Sequence, residues 1–381
     1  MEKNKSRARA VEIITHLRSK GFIAYLCGGC VRDLLLEREP KDYDIVTNAR
    51  PDEIQKIFKK TVPVGAKFGV VKVIYNGENF EVATFRKDGS YQDGRRPEAV
   101  FFSDEKEDAL RRDFTVNGLF FDPVKQTIID HVDGQRDIRQ RIIKTIGKPE
   151  ERFSEDHLRL MRAIRFACQL NFKIERATWN AVSRMAHLIE TVSRERIRDE
   201  LVTMLLCNNP AKALFLLHES RIMKWVFPDF FTSHDEMKRL ATVLTMLDLA
   251  APIACFELAF GVLWSGRSVK DEQGMRSTCK KLHLSNKSTD RIVDILSGQS
   301  VLENIRTLSL AGVKRFVRKP CFGDALELYR LSCLTTPKKL DVYVEWKKIA
   351  QRFSPDDLHP KPLITGNDLI HMGFERSEEH T

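Results

Sequence analysis

The sequence predicts an α+β chain: a small mixed sheet with flanking helices over residues 1–150, and helices throughout the remainder. Three observations predict it. Short β-rich runs bounded by turn signals crowd between Phe22 and Ile146. From about Phe153 onward strand signals nearly vanish and apolar residues recur at helical spacing. Gly147-Lys148-Pro149 punctuates the change and marks a domain boundary.

The elements follow in order. Residues 7–20 read as an amphipathic helix, with Ala10, Ile13, Ile14 and Leu17 on one face. A strand over Phe22–Leu26 ends at Gly28-Gly29, and a helix beginning near Val31 is expected to bury Leu34 to Leu36. After a turn around Pro40, a second apolar strand opens with Asp42 and Asp44. Pro51 suits the first position of a helix running to Phe58. Gly69–Tyr75 and Asn79–Phe85 flank Asn76-Gly77-Glu78, a hairpin signal. Arg86 to Pro97 is glycine-rich, charged and aperiodic, hence a solvated, mobile loop. Ile128–Asp130 and Ile142–Ile146 close the first domain. One helix is expected through Glu155–Phe166, with Leu160, Met161, Ile164 and Ala167 on its apolar face. Ser193 is a half-convincing cap for the next helix, because Arg196 stands where a capping box needs Glu or Gln. Helices continue to about residue 352, a last apolar patch spans Asp368–Met372, and the end reads as frayed.

Composition narrows the function. A formal charge of +10 favours a polyanion partner. No apolar run is long enough to span a bilayer and the N-terminus lacks a signal-peptide core, so a soluble, cytoplasmic protein is expected. The eight cysteines are scattered in apolar stretches, as reduced buried thiols are. Cys27-Gly28-Gly29-Cys30 has redox or zinc spacing, but no second pair accompanies it, and packing is the better reading. His234-Asp235 lacks the further ligands a metal-dependent hydrolase needs.

Chemistry concentrates between Tyr25 and Thr47. Paired glycines before a helix let backbone N–H groups approach an anion, with Arg32 beside them. Residues two apart on a strand share a face, so Asp42 and Asp44 present two carboxylates together, a natural holder for Mg²⁺. Glu81, on the second hairpin strand, is a secondary third carboxylate, equally readable as an exposed strand residue. Arg111-Arg112 can clamp a triphosphate, although such a pair is usually solvated surface. Asp156, Arg159, Arg162 and Arg165 step by three around the polar face of their helix, a solvated charged face or a nucleotide-facing surface.

Together these stretches resemble the class II tRNA nucleotidyltransferase and bacterial poly(A) polymerase family, within the DNA polymerase β superfamily. The resemblance rests on Gly28-Gly29-Cys30-Val31-Arg32-Asp33, Asp42-Tyr43-Asp44, Arg111-Arg112-Asp113-Phe114-Thr115-Val116-Asn117, Glu155-Asp156-His157-Leu158-Arg159 and Ser193-Arg194-Glu195-Arg196-Ile197. It implies a polymerase β-like head over 1–150, a helical neck over 151–212 that recognises the base, a body over 213–290 and an RNA-binding tail over 291–381. It implies nucleotide addition to an RNA 3′ end without a template, with Asp42 and Asp44 holding two Mg²⁺ ions. Gly29 and Arg32 would then contact triphosphate or ribose beside Gly28, with Arg112 a further nucleotide-binding arginine. Asp156 and Arg159 would face the base, supported by Arg162 and Arg165. The expected partner is tRNA, with CTP and ATP as substrates, and neither DNA nor a membrane. A poly(A) polymerase or A-adding enzyme shares these motifs; a CC-only enzyme would lack the Arg86–Pro97 loop, and a non-catalytic RNA-binding protein would not need Asp42 and Asp44. Thr365–Leu369 with Met372–Phe374 resembles the C-terminal element of the tRNA-type enzymes, after which the family continues, implying a chain that ends early.

Overall fold

The computed structural model describes residues 2–63, 68–89, 94, 99–228, 230, 233–267, 272–336, 340–358 and 366–373. The chain forms two compact units, Met1–Leu240 with Lys281–His283, and Ala241–Lys280 with Leu284–Thr381.

The first unit opens with α1 (Glu2–Ser19), whose Ala10, Ile13, Ile14 and Leu17 are fully buried as their spacing predicts. β1 (Ala24–Cys27) turns at Gly28 into α2 (Gly29–Leu35), and β2 (Ile45–Thr47) returns antiparallel to β1 with Tyr25 opposite Val46. Helix α2 buries Cys30, Val31 and Arg32, not Leu34 to Leu36; Leu35 is exposed. Only the first turn of so short a helix follows the strand closely enough to reach the core. α3 (Pro51–Ile57) carries proline at its first position, and the Glu53 carboxylate accepts the Arg50 N–H at 2.7 Å.

β3 (Thr61–Val62), β4 (Val70–Tyr75) and β5 (Glu78–Thr84) come next. Asn76 and Gly77, both at positive φ, close the β4–β5 hairpin, as Asn-Gly predicts. β5 pairs in parallel with β2, Ile45 beside Val82 and Thr47 beside Thr84, which makes the sheet mixed. The predicted loop starts as a strand: β6 (Arg86–Asp88) pairs with β7 (Val100–Phe102). Within it Gly94 is buried against His157, whose N–H donates to the Gly94 carbonyl at 3.1 Å, while residues 90–93 and 95–98 lie outside the described ones. After α4 (Glu105–Leu110), β8 (Leu119–Asp122) and β9 (Thr127–Asp130) complete a seven-stranded sheet, ordered β3-β4-β5-β2-β1-β8-β9. Cys27, Val46, Phe85, Ala109 and Phe120 pack on one of its faces, with Phe85 and Phe120 edge to face at 6.0 Å. Burying each such ring contributes about 1.5–3 kcal/mol.

α5 (Gly134–Gln140) and β10 (Ile142–Ile143) lead to α6 (Pro149–Glu155) and α7 (Arg159–Leu170). The single helix expected over Glu155–Phe166 is thus broken. Asp156 is extended, and its carboxylate takes the Leu158 N–H at 3.1 Å, a local bond that competes with the helical ladder. Beyond the break the expected apolar face holds: Leu160, Met161, Ile164 and Ala167 are fully buried. β11 (Lys173–Ile174) pairs with β10, and α8 (Arg176–Arg184), α9 (Arg194–Leu205), α10 (Pro210–Glu219) and α11 (Ile222–Val226) complete this region. Ser193 precedes α9 without capping it through its side chain.

α12 (His234–Ala250) runs into the second unit, which holds α13 (Phe256–Trp264), α14 (Glu272–Lys281), α15 (Asn286–Glu303), α16 (Leu310–Val317), α17 (Phe322–Thr335), α18 (Leu340–Ala350), α19 (Pro355–Leu358) and α20 (Gly366–His371). Its core gathers Leu302, Phe316, Ala325 and Tyr329 around the fully buried Trp346, whose indole N–H donates to the Leu302 carbonyl at 2.9 Å. Of the expected C-terminal element, Thr365 and Phe374 lie outside the described residues. No described helix is long and apolar enough to cross a membrane.

Candidate active site

The glycines at the end of β1 make room for guanidinium groups. Gly28 sits at φ +72°, and a Cβ there would lie 3.0 Å from Arg112 Nη1. A Cβ on Gly29 would lie 3.6 Å from Arg32 Nη2. Two cations can therefore approach the backbone at the strand-to-helix turn, where a side chain would hold them off.

Buried carboxylates aim these cations. Asp108, fully buried on α4, accepts from Arg111 Nε and Nη2 on one oxygen (3.0 and 2.7 Å) and from Arg112 Nε and Nη2 on the other (3.2 and 3.0 Å). Burial pushes its carboxyl up, but Arg112 and Arg111 outweigh that and hold it below the usual carboxylate range. Asp113 does the same for the helical side: its Oδ2 accepts from Arg162 Nε and Nη2 at 2.8 and 2.6 Å, its Oδ1 from Asn117 Nδ2 at 3.1 Å. Burial opposes ionisation there too, yet Arg162 and Asn117 bring its pKa down to about 2. Asn117 in turn accepts Arg32 Nη1 at 2.7 Å, and Arg32 donates to Asp33. The Phe166 ring underlies Arg32, Arg162 and Arg165, whose guanidinium carbons lie 5.4, 5.2 and 4.0 Å from its centroid.

Asp42 and Asp44 lie in the extended segment just before β2, not within the strand. Tyr43 between them is buried, so alternation turns both carboxylates the other way. Extending the parallel β2–β5 register by one residue sets Asp44 beside Glu81. Burial, with Glu81 and Asp42 adding to it and Arg112 opposing it, raises the Asp44 pKa to about 6. A carboxylate whose ionisation is opposed by its neighbours fits a divalent cation, which would relieve the repulsion. Among the described residues no three His, Cys, Asp or Glu side chains gather into a cage. Cys27 and Cys30 are buried thiols, Cys27 pushed up to about 11 by burial, and Cys30 Sγ donates to the Cys27 carbonyl. They pack as buried thiols.

An open cleft of about 450 Å³ collects these groups. One wall carries Gly28, Gly29, Arg32, Asp44, Arg111 and Arg112; the other carries Asp156, Arg159 and Arg162. Asp156 accepts from Arg196 Nη2 at 2.8 Å, which explains why arginine stands where a capping residue was expected. Arg159 donates to Glu155 and to the carbonyls of Arg152 and Arg111, and does not pair with Asp156. Asp42 and Arg165 border an adjoining cleft instead, and the exposed Glu81 lines neither. Asp108, and the work that Asn117, Phe166 and Arg196 do, escaped the sequence reading. The i, i+3 and i, i+4 spacing of Asp108 to Arg111 and Arg112, and the i, i+4 spacing of Asp113 to Asn117, are local signals that point to Asp108 and Asn117.

Residues 24–144 match the family described as the poly A polymerase head domain, and residues 171–232 match a probable RNA- and SrmB-binding site of polymerase A. A CCA-adding enzyme of Ligilactobacillus salivarius is 44% identical over 233 residues, 61% of this chain but only 57% of that one. The chain thus spans little more than half the length of this relative. A CCA-adding enzyme of Anoxybacillus flavithermus is 40% identical over 308 residues, 80% of this chain and 73% of that one. The crystal structure of the Bacillus stearothermophilus CCA-adding enzyme in complex with CTP superposes with a TM-score of 0.75 at 32% identity, covering 97% of this chain and 88% of the other. With the glycine turn, the paired aspartates and the arginine-lined cleft assembled on a matching head, the chain belongs to the CCA-adding enzyme and poly(A) polymerase family of nucleotidyltransferases.

Proposed function

We propose that this protein adds CCA to the 3′ end of tRNA from CTP and ATP, without a nucleic-acid template. The observation that carries the reading is the single cleft in which Asp44, the arginines beside Gly28-Gly29, and Asp156 with Arg159 converge. Its relatives' names support it.

In this reading Arg32 and Arg112 hold the triphosphate, each pre-aimed by a carboxylate or amide partner. The RNA 3′-hydroxyl oxygen bonds to the α-phosphorus, the bond to the bridging oxygen breaks, and pyrophosphate leaves with the electron pair. The hydroxyl proton passes to water. Asp42 and Asp44 would hold Mg²⁺, two ions by family resemblance, which when bound polarises the hydroxyl and offsets the charge on the leaving group. Asp156 accepts from the amino group of cytosine or adenine, and Arg159, released from Glu155, donates to the ring nitrogen. Uracil and guanine present the reverse pattern and leave groups unpaired. Residues 1–150 act as the head, 151–212 as the neck, and 213–290 and 291–381 as a body and tail that hold tRNA in the cytoplasm.

The test is nucleotide addition to tRNA lacking its last three nucleotides, to tRNA lacking only the last, and to an unstructured RNA. CTP incorporation followed by a single AMP supports CCA addition; long adenylate tails on any RNA would instead mean a poly(A) polymerase. Asp42→Ala should abolish addition. In Asp156→Ala, discrimination against UTP should fall by at least about tenfold, with a smaller loss of rate; unchanged discrimination would remove Asp156 from base selection.

A further inference from the structure

The adjoining cleft, about 460 Å³, shares Gly29, Arg32, Asp44 and Phe166 with the first and opens onto the same carboxylate. Asp42 borders only this second cleft. Its outer wall comes from the turn between α2 and β2, which supplies Arg38 and Lys41, and its floor from Arg165 and Gln169 on α7. Arg165 is fixed, donating to Glu200 at 2.6 Å and to Gln169 at 3.0 Å. The two outer cations are not. Lys41 is exposed, and among the described residues its ammonium has no hydrogen bond or ion pair. Arg38 makes a single 3.4 Å bond to the Gln169 carbonyl. Of the four acidic neighbours, Asp33 is engaged by Arg32 and Glu39 by the Tyr43 hydroxyl, while Asp42 and Asp44 are the carboxylates assigned to the metal.

We propose that this second cleft seats the terminal nucleotide of the RNA acceptor, with Lys41 and Arg38 on the phosphate that joins it to the preceding nucleotide. The inference rests on the nucleotidyl-transfer reading above. In an in-line displacement the attacking oxygen approaches the α-phosphorus opposite the departing pyrophosphate. The first cleft holds the arginines for the triphosphate, so the acceptor comes from beyond Asp44, where the second cleft lies. Its volume falls within the roughly 300–1,000 Å³ of small-ligand sites, enough for one nucleotide. Two exposed cations that, among the described residues, no carboxylate pairs with supply what a phosphodiester needs and what a neutral ligand would not.

The test is steady-state addition of AMP to tRNA lacking its last nucleotide, with RNA and ATP varied independently. Arg38→Ala/Lys41→Ala should raise KM for RNA about five- to tenfold, and flatten its log–log salt dependence by about 1 to 1.5. KM for ATP, and kcat at saturating RNA, should stay at wild-type values, which also reports an intact fold. Arg38→Lys/Lys41→Arg, which keeps both charges, should restore most of the RNA affinity. If wild type is active and the double alanine variant leaves KM for RNA unchanged, or raises KM for ATP instead, the acceptor site is not here. A wild type that extends no RNA would overturn the underlying reading, and this inference with it.

Discussion

At the residue scale, the site is built from carboxylates that never need to meet substrate. Asp113 touches Arg162, Asn117 and the Phe114 N–H, and through them sets the cleft wall. Its folded pKa of about 2 lies below the value near 3.8 of an unperturbed aspartate, so its ionised form stabilises the fold. That contribution is fully present above about pH 4 and is lost as pH falls through the folded pKa. Asp113→Asn should therefore cost about 2 kcal/mol at pH 7, and the gap to wild type should close between pH 4 and pH 2. Denaturant unfolding at a series of pH values measures it; a gap independent of pH would mean that packing, not charge, is what Asp113 supplies. Asp113 and Asn117 were visible within the quoted motif, but their work was not. Asp113 acts on Arg162, 49 residues away, and Asn117 on Arg32, 85 residues away.

At the element scale, the turn from β1 into α2 and the parallel pairing of β2 with β5 decide the geometry. Gly28→Ala places a Cβ in a positive-φ position and against Arg112 Nη1. It should cost about 1–2 kcal/mol of stability. On the proposed reading, in which Arg112 holds the triphosphate, KM for CTP and ATP should rise, about tenfold for a lost charged hydrogen bond. Nucleotide titration of the folded variant checks this, and unchanged nucleotide affinity would separate Arg112 from the phosphates. The turn was legible, since two glycines between an apolar run and a helix mean close approach. What the sequence did not show is that Arg112, 84 residues further on, comes up against Gly28. The break between α6 and α7 was hidden as well. Nothing in Glu155–Phe166 interrupts helical periodicity, and Asp156 leaves the helix through its bond to the Leu158 N–H and its pairing with Arg196, 40 residues away.

At the scale of the whole molecule, a chain with 63 basic and 53 acidic residues carries its excess of +10 in the company of many ion pairs. An RNA partner bound through this excess should be released by salt, because each neutralised phosphate frees counterions. The log of tRNA affinity should fall with the log of salt concentration at a slope steeper than about −3, as for four or more phosphate contacts. ATP affinity should fall less. Filter binding or anisotropy across a salt series distinguishes the two, and a flat tRNA response would contradict charge-led recognition.

The sequence by itself determined the fold class, the order of its elements and most of the residues that line the cleft. Periodicity and turn chemistry are local, and Gly28, Gly29, Asp42, Asp44, Arg112 and Asp156 each stand in a short motif. The tertiary structure alone decided which of them share a cavity. It set Asp44 beside Glu81 through the β2–β5 register, put Asp42 and Arg165 in the second cleft, and buried Asp108 between two arginines. Those outcomes depend on strand pairing and on charges meeting out of water, and neither is written in the spacing of neighbouring residues.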